Sequence, residues 1–530
     1  MGNKNLTPRP FAKHPRGAPK GRGRKQFIWY PFLFAAYPVL GLLAVNVGNA
    51  RPEAGLRPVA VAVLGAGILF GLLRLLTRDW HRAAFVSAAW ISLFAVYGHL
   101  YGYLLEKAPE YARTNLVAGV SLLLAAAALF AATRPEARPE RSRRVRMEAW
   151  TAPLNMAALA LVIFPLGQIA WYQVEIQNAP SVAAAPIAAV EGTEPDIYYI
   201  ILDSYTRADV LQAAYHFDNS EFVGGLEKMG FNVAECGMSN YLRTELSLAS
   251  SFNMDYLPAL DERITPESQA RTPLWNLIRN SAVMDYVQAR GYKTVAFATG
   301  FPWGEWDHAD LYLEASPLRG GLTEFEGLVL ETTAYRIAED EGLVDTKTTT
   351  FNRYRERTQF TLDTLPTLAT RDLGAPKFVF AHLILPHPPF VFAEDGSPSD
   401  PLSFLNAKDQ YPSDKYAKGY VMQLQFANRE IKRIVEQIVD NSATPPVIII
   451  QGDHGPWLQS KERRLSILNA YYLPGHADAV SESITPVNTF RVIFNLYLGG
   501  EFDLLPNQSY FSPVPDQYNF ELIPNRCKPK

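Results

Sequence analysis

The sequence predicts a two-part protein: an α-helical transmembrane bundle of five spans, followed by an α/β sandwich domain with a mostly parallel central sheet. Two observations predict this fold class. Five apolar runs of membrane-spanning length precede residue 176 of the 530-residue chain, and beyond it short continuous apolar runs alternate with helical patterns. Charge follows the same division, with a net +13 over residues 1–190 and −16 over residues 191–530. The two cysteines exclude a disulfide-dense scaffold and a cysteine-rich metal site.

The five apolar runs approach the roughly 20 residues that a helix needs to cross the hydrocarbon core of a membrane. Aromatic residues lie mostly near their ends, as is typical of membrane interfaces. The alternative, buried helices of a soluble core, is disfavoured because five such runs follow one another. The runs cover residues 27–47, 59–76, 83–105, 116–132 and 152–174.

The orientation in the membrane is predicted from the cations. The N-terminal tail and the second and fourth connections carry 17 Lys and Arg, whereas the alternate connections carry 4. Cytoplasmic segments are the ones enriched in these residues. We therefore expect a multi-pass plasma-membrane protein with a basic cytoplasmic tail (1–26), a membrane domain (27–175), a linker rich in Ala and Pro (176–195) and an extracytoplasmic domain (196–530). The tail lacks the interleaved aromatics of a nucleic-acid binder, so we expect no nucleic-acid partner.

The second part of the chain alternates strand and helix patterns. Continuous apolar runs indicate strands that are covered on both faces, hence a mostly parallel sheet. The predicted strands are 197–202, 294–298, 378–385, 447–451 and 470–474. The predicted helices are 220–229, 273–290, 351–365, 415–439 and 486–498.

Polar residues follow three of these strands directly. Asp203 follows IYYIIL, Asp453 and His454 follow VIIIQ after one glycine, and His387 lies just beyond FVFAHLIL. Ligands of open α/β sheets gather at the carboxyl ends of the strands. Each residue alone has an ordinary alternative, such as a helix cap for the aspartate. Together they predict a site for one divalent metal ion, zinc or manganese.

A fourth element, YLRTELSLASSFNMDYL, turns helical near Thr244. The simple interpretation is a threonine that caps the helix. The alternative interpretation uses the same geometry, because a helix N-terminus favours an alkoxide and an incoming phosphate. A metal touching this hydroxyl would make it a nucleophile near neutral pH.

The chain resembles the alkaline phosphatase/sulfatase superfamily in an ordered set of four segments. They are DIYYIILDSYTR, NYLRTELSLAS, FAHLILPHPPF and VIIIQGDHG. With the preceding spans, the chain looks most like lipoteichoic acid synthases and lipid-A phosphoethanolamine transferases. The resemblance implies a metal held by Asp203, Thr244, Asp453 and His454. It further implies that Thr244 is the nucleophile of a phospho-threonine intermediate, and that His387 holds the phosphate or protonates the leaving group.

Other residues bear on the substrate. His382 lies within a predicted strand, where a substrate contact and a core histidine are equally good interpretations. Trp303 and Trp306 lie in a loop expected to line a substrate pocket.

The chain departs from the families that it resembles. These families usually have Glu where this chain has Asp203, and the lipoteichoic acid synthases carry loop motifs that are absent here. No Cys-x-Pro-x-Arg or Ser-x-Pro-x-Arg sequence exists to form formylglycine, which disfavours a conventional sulfatase.

Three functions are compatible with these patterns. The first is a membrane-anchored phosphotransferase or phosphodiesterase that acts outside the cytoplasm, with the lipid bilayer and a lipid-borne or glycan phospho substrate as partners. The second is a sulfatase-like hydrolase of soluble or polysaccharide phosphate or sulfate esters. The third is a catalytically inactive envelope-binding protein, and the intact set of site residues disfavours it.

The two cysteines, Cys236 and Cys527, can pair within one chain only with each other. A bridge would hold the C-terminal tail beside the segment that carries Thr244. The alternative is two unpaired thiols, and spacing alone does not decide between them, since a bridge requires Cα atoms within roughly 7 Å.

Overall fold

A computed structural model describes residues 27–133, 140–177, 194–316, 321–400, 403–404 and 413–529. The basic tail, all but the edges of the predicted linker, and most side chains of the basic connection between the fourth and fifth runs lie outside the described residues.

The N-terminal part is a bundle of apolar helices. They are α1 (Tyr30–Val45), α2 (Leu56–Thr77), α3 (Trp80–Lys107), α4 (Thr114–Thr133) and α5 (Glu140–Gln177). The last four are long and apolar enough to cross a membrane. Helix α1 has 16 residues, about 24 Å at 1.5 Å per residue, against a hydrocarbon core of about 30 Å. The chain is thus a membrane protein with four helices of full spanning length among the described residues, and five spans remain a prediction.

The C-terminal part alternates helices and strands. The strands are β1 (Ile197–Leu202), β2 (Asn232–Val233), β3 (Lys293–Phe297), β4 (Leu311–Leu313), β5 (Lys377–Leu383), β6 (Val447–Gly452), β7 (Asn469–Tyr472), β8 (Ser509–Phe511) and β9 (Glu521–Ile523). The helices are α6 (Ala208–Tyr215), α7 (Ser220–Lys228), α8 (Thr244–Asn253), α9 (Leu257–Leu260), α10 (Thr272–Arg279), α11 (Ala282–Ala289), α12 (Glu324–Glu331), α13 (Arg336–Asp340), α14 (Thr346–Thr364), α15 (Asp414–Asn441), α16 (Lys461–Leu465) and α17 (Thr489–Tyr497).

Seven strands form one sheet in the order β2-β7-β6-β1-β5-β3-β4, and β8 pairs with β9 separately. Strands β6, β1, β5, β3 and β4 run parallel, whereas β7 and β2 add antiparallel pairs at one edge. The predicted mostly parallel sheet is confirmed, and the predicted strand at 470–474 is its antiparallel member.

Both faces of the sheet are covered. In β1, Tyr198, Ile200 and Leu202 pack under α6, α14 and α15 on one face. Ile197, Tyr199 and Ile201 pack under α8, α10, α11 and α17 on the other. All six side chains are buried, which explains why the strand is apolar without alternation.

Three predicted helices differ clearly in their bounds, and the helix predicted at 351–365 begins five residues earlier, at Thr346. The helix predicted at 273–290 is two helices, because Ser281 starts α11 as an N-cap whose hydroxyl accepts from the Met284 N–H. The helix predicted at 486–498 begins as a 3₁₀ turn at Pro486–Asn488 and becomes α-helical at Thr489. Pro273 in the first turn of α10 and Pro486 in the 3₁₀ turn both suit a helix start, because the missing N–H of proline is not needed in a first turn.

Backbone hydrogen bonds connect a membrane helix, α3, to the segment of the α/β domain that follows α12. The N–H of Gly98 in α3 donates to the Thr332 carbonyl oxygen over 3.1 Å, and the Ala334 N–H donates to the Phe94 carbonyl oxygen over 2.8 Å. A side chain at Gly98 would meet the Glu331 oxygen at 2.2 Å. Glycine is therefore required there for the segment after α12 to dock.

Ion pairs reinforce this junction. Arg51, between α1 and α2, donates to the buried Glu305 carboxylate over 2.7 Å. Arg57 at the start of α2 pairs with Glu326 of α12. Both arginines come from the membrane part and both carboxylates from the α/β domain.

The C-terminal tail is fixed by a disulfide between Cys236 and Cys527, whose Cα atoms lie 5.5 Å apart. Nearby, Asn525 donates to the Cys236 carbonyl oxygen over 2.8 Å. Of the two interpretations of the cysteines, the structure contains the bridge.

Candidate active site and metal centre

The two aspartates of the site come from neighbouring strands. Leu202, the last residue of β1, lies opposite Gly452, the last residue of β6. Asp203 and Asp453 follow them directly, so the parallel register places both carboxylates at the same edge of the sheet. Gly452 permits this approach, because a Cβ at that position would meet the Tyr205 carbonyl oxygen at 2.3 Å.

Asp203, Asp453 and His454 form a compact group of possible metal ligands, with one donor atom of each within 4.8 Å of the others. His454 Nε2 lies 3.7 Å from Asp203 Oδ1 and 3.5 Å from Asp453 Oδ2. His454 Nδ1 lies 2.8 Å from the Gly455 carbonyl oxygen, which can only accept, so Nδ1 carries the proton and Nε2 keeps a free lone pair.

The arrangement fits a divalent cation. Asp453 Oδ1 accepts from the Ser204 and His454 N–H groups over 3.0 and 2.8 Å. Asp453 Oδ2 is buried and has no hydrogen-bond partner. A buried carboxylate oxygen without a partner is costly, and a cation with oxygen and imidazole ligands would satisfy it.

Thr244 is the first residue of α8, and its Oγ1 lies 3.4 Å from His454 Nε2. The hydroxyl thus joins the cluster at a helix N-terminus, where the dipole favours negative charge. Ser239 holds the preceding segment in place, with its Oγ 2.5 Å from the Asp453 carbonyl oxygen and 3.1 Å from Ser247 Oγ of α8.

Two further histidines lie beside Asp203. His382 of β5 is buried, its Nε2 is 3.6 Å from Asp203 Oδ2, and this nitrogen has no hydrogen-bond partner. It therefore faces the cluster and is not a satisfied core histidine. Burial would raise the pKa of Asp203, but the nearby imidazoles of His387, His382 and His454 outweigh burial and lower it.

His387 is held by the loop after β5. Its backbone N–H donates to the Asp203 carbonyl oxygen over 3.1 Å, and its own carbonyl oxygen accepts from Gln423 of α15 over 2.9 Å. Its Nδ1 lies 2.5 Å from the Pro388 carbonyl oxygen, so Nδ1 is protonated and Nε2 is the nitrogen that can exchange a proton.

The two tryptophans occupy different environments. Trp306 is fully buried, its Nε1 donates to the Ile278 carbonyl oxygen over 2.8 Å, and its ring packs on Phe252 and Phe380. The prediction that it lines a substrate pocket is therefore wrong, because the indole completes the core. Trp303 lines a polar cavity of about 220 Å³ between the ends of α1 and α5 and the α/β domain, and none of the metal-site residues lines that cavity.

Ser204 belongs to the site although sequence reasoning missed it. It adopts φ = +63°, which is uncommon for a residue other than glycine. This conformation aims its N–H at Asp453 and places its Oγ 3.2 Å from Asp203 Oδ1. No sequence pattern predicts a serine with left-handed backbone conformation. The one feature that could have pointed to Ser204 is its position directly after Asp203.

Two arginines that the sequence analysis did not single out interact electrostatically with each other, and one of them directly precedes Thr244. Arg243 precedes Thr244 and donates to the Pro513 carbonyl oxygen over 3.0 Å. The Arg464 guanidinium lies 4.4 Å over the Trp457 ring, and its buried Nε has no hydrogen-bond partner. Burial lowers the pKa of Arg464, and the charge of Arg243 lowers it further. These groups concentrate positive charge that an anion would offset.

Acidic, imidazole and hydroxyl side chains gathered at the carboxyl edge of a mostly parallel α/β sheet define a hydrolase or group-transfer enzyme. The sulfatase family model matches residues 195–491, which is more than half of the chain. The chain belongs to the sulfatase family and is a sulfatase-like hydrolase or transferase.

Several solved structures are similar to this chain. The lipooligosaccharide phosphoethanolamine transferase A of Neisseria meningitidis is 12% identical with a TM-score of 0.37, over 88% of this chain and 94% of that one. The C-terminal periplasmic domain of EcEptC from Escherichia coli, in complex with zinc, is 14% identical with a TM-score of 0.38, over 60% and 87%. A putative sulfatase from Bacteroides thetaiotaomicron is 12% identical with a TM-score of 0.37, over 62% and 75%. No curated protein matches this chain significantly.

Proposed function

We propose that this protein is a membrane-anchored, metal-dependent phosphotransferase or phosphodiesterase that acts outside the cytoplasm on the phospho head groups of lipids or envelope glycans. The observation that carries the proposal is the position of Thr244. Its hydroxyl stands at the N-terminus of α8, 3.4 Å from His454 Nε2, and the same nitrogen lies 3.5 Å from the unpartnered Asp453 Oδ2.

The residues that would hold the cation are Asp203, Thr244, Asp453 and His454. A bound zinc or manganese ion would supply positive charge that favours the ionised Thr244 hydroxyl and offsets the charge of a phosphate. Thr244 Oγ1 would then attack phosphorus, forming an Oγ1–P bond as the bond to the leaving-group oxygen breaks. His387, with a proton on Nε2 as well as on Nδ1 when the cycle begins, would give the Nε2 proton to that oxygen.

The phospho-threonine would be resolved by a second substitution. An acceptor hydroxyl, or water, attacks phosphorus, the Oγ1–P bond breaks and Thr244 leaves as the ionised hydroxyl with which the cycle began. His387 takes the proton from the attacking group and so returns to its starting state. The acceptor decides whether the outcome is transfer or hydrolysis.

Positive groups around the cluster suit an anionic substrate. His382 turns an unpartnered nitrogen towards Asp203, and Arg243, directly before α8, interacts electrostatically with the Arg464 guanidinium. We assign them to holding phosphate oxygens while Thr244 reacts.

Two features support an extracytoplasmic domain. The Lys and Arg asymmetry, 17 against 4, favours a cytoplasmic N-terminus. The Cys236–Cys527 bridge is of the kind that persists in oxidising compartments. The test is a fusion, after residue 190, of a reporter that works only in the cytoplasm. Activity of this reporter would contradict the topology.

The test uses the purified full chain loaded with metal and reconstituted in vesicles whose lipid carries a labelled phospho head group. We expect the label to leave the lipid, and a rapid acid quench to trap phosphate on the peptide that contains Thr244. Label found on an added acceptor defines a transferase, and label released to water defines a phosphodiesterase. Turnover without any phosphorylated Thr244 would contradict the proposed intermediate.

A further inference from the structure

A cavity of about 810 Å³ lies between helices α1–α4 and the α12–α13 segment of the α/β domain. Its walls are mostly apolar. They include Val61, Gly65 and Leu69 of α2, Trp90 of α3, Leu122 of α4 and Val329 of α12. Because both parts of the chain contribute, the cavity exists where the α/β domain meets the membrane bundle.

The docked segment after α12 forms one wall of this cavity. Thr332, Thr333 and Ala334 line it, and the backbone hydrogen bonds with Gly98 and Phe94 fix this stretch against α3. These bonds hold this wall of the cavity against α3.

The border of the cavity carries charge. Arg57 and Glu326 both line it and pair with each other. The Glu326 side chain is 6% exposed, whereas that of Arg57 is 58% exposed, so the guanidinium keeps free surface at the rim. An apolar interior with a cation at the edge matches a lipid, whose hydrocarbon chains join a phosphate.

We propose that this cavity binds the acyl chains of the membrane lipid whose head group the α/β domain processes, with the Arg57 guanidinium at the polar border of the cavity. This inference rests on the proposed function and adds where the substrate is held. An apolar cavity excludes water, and hydrocarbon chains are the apolar ligands within reach of membrane-crossing helices. The volume is in the range of ligand sites, about 300 to 1,000 Å³.

Two glycines of α2 provide a matched test. A Cβ at Gly65 or at Gly71 would meet nothing within 4 Å, but Gly65 lines the cavity and Gly71 does not. Gly65→Leu therefore places a leucine side chain inside the cavity, while Gly71→Leu adds the same side chain to the same helix elsewhere. Unfolding temperatures of both full-length variants establish that they fold.

Two measurements are made on the full chain. Native mass spectrometry detects retained diacyl phospholipid. Kinetics give the ratio of kcat/KM for a long-chain lipid in vesicles to kcat/KM for a water-soluble ester of the same head group. For Gly65→Leu we expect loss of retained lipid and a roughly tenfold fall in that ratio, because buried methylenes no longer contribute. Gly71→Leu should match the wild type.

Equal lipid retention and an equal ratio in the two variants would overturn the inference, as would a change of oligomeric state in Gly65→Leu without loss of lipid. If the wild type turns over neither substrate, the proposed function fails. Lipid retention alone then decides whether the cavity holds acyl chains.

Discussion

The Ser204 N–H donates a hydrogen bond to Asp453 Oδ1 over 3.0 Å, which joins the turn after β1 to the turn after β6. The left-handed conformation of Ser204 stores strain of order 1 kcal/mol to make this contact. The two aspartates are thus held in position by the fold itself. Ligands arranged in this way bind a cation without first having to be ordered.

Thr244→Ala should lower turnover by at least about a thousandfold, because the attacking oxygen is lost. Metal content and unfolding temperature should stay close to wild type, since Asp203, Asp453 and His454 remain. Activity, metal analysis and thermal unfolding check this, with Thr244→Ser as the control that keeps a hydroxyl. Near-normal activity in Thr244→Ala would show that another group is the nucleophile.

Asp453→Asn should lose the metal while the domain remains folded. The amide oxygen can still accept from the Ser204 N–H, but the charge at the unpartnered Oδ2 is gone. Metal analysis after dialysis against a weak chelator measures the effect. Asp209→Asn, at an aspartate paired with Arg207 outside the cluster, serves as control, and equal metal content in both variants would refute the assignment.

Glu326→Gln should destabilise the protein at neutral pH by about 1 kcal/mol, a modest value because Arg57 is 58% exposed. Burial would raise the pKa of Glu326, but hydrogen bonds from Arg57 and Thr323 lower it below its ordinary 4.5. A lowered carboxyl pKa stabilises the fold above pH 4.5, and this contribution is lost as the pH falls below that value.

The check is thermal unfolding of wild type and Glu326→Gln between pH 7 and pH 3.5. The difference in unfolding temperature should be present at pH 7 and shrink below pH 4.5. A difference that stays constant across this range would mean that the charge of Glu326 contributes nothing.

Gly98→Ala should destabilise the protein by about 1–3 kcal/mol, because the new methyl group would lie 2.2 Å from the Glu331 oxygen. Gly102→Ala is the matched control in the same helix, where a Cβ meets nothing within 4 Å. Alanine there should be neutral or stabilise by less than about 1 kcal/mol. Thermal unfolding separates the two, and equal stability of both variants would contradict the docking of this segment.

Replacing both Cys236 and Cys527 by serine should lower the free energy of unfolding by about 2–4 kcal/mol, since the bridge restricts a long loop of the unfolded chain. Peptide mapping of the wild type without reductant should recover the two cysteines as one linked peptide. Free thiols at both positions would exclude the bridge.

Much of the site could be predicted from the sequence because its residues follow buried strands directly. Asp203, Asp453 and His454 are adjacent to continuous apolar runs, and a parallel sheet necessarily brings such positions to one edge. Thr244 was identifiable because the helical pattern begins there. The fold class follows from the same apolar runs.

The remaining features depend on tertiary contacts that no local pattern reports. The local sequence FPWGEWDHAD does not distinguish the environments of its two tryptophans. Trp306 nevertheless lies in the core, whereas Trp303 lines a cavity. The left-handed Ser204 and the break at Ser281 follow from neighbouring contacts. The required glycine at Gly98 depends on a segment more than 200 residues away.

The Arg51–Glu305 pair limits how this protein can be recombined with its relatives. Glu305 is 3% exposed in its side chain, and its cation comes from the other part of the chain. A chimera that exchanged the membrane helices alone would leave this carboxylate buried without its counter-charge unless an arginine arrived at the same place. Glu305 would keep its hydrogen bonds from Thr299, Gly300 and Tyr312, but a buried charge that loses its counter-charge destabilises the fold. Anchor and catalytic domain are therefore not interchangeable modules.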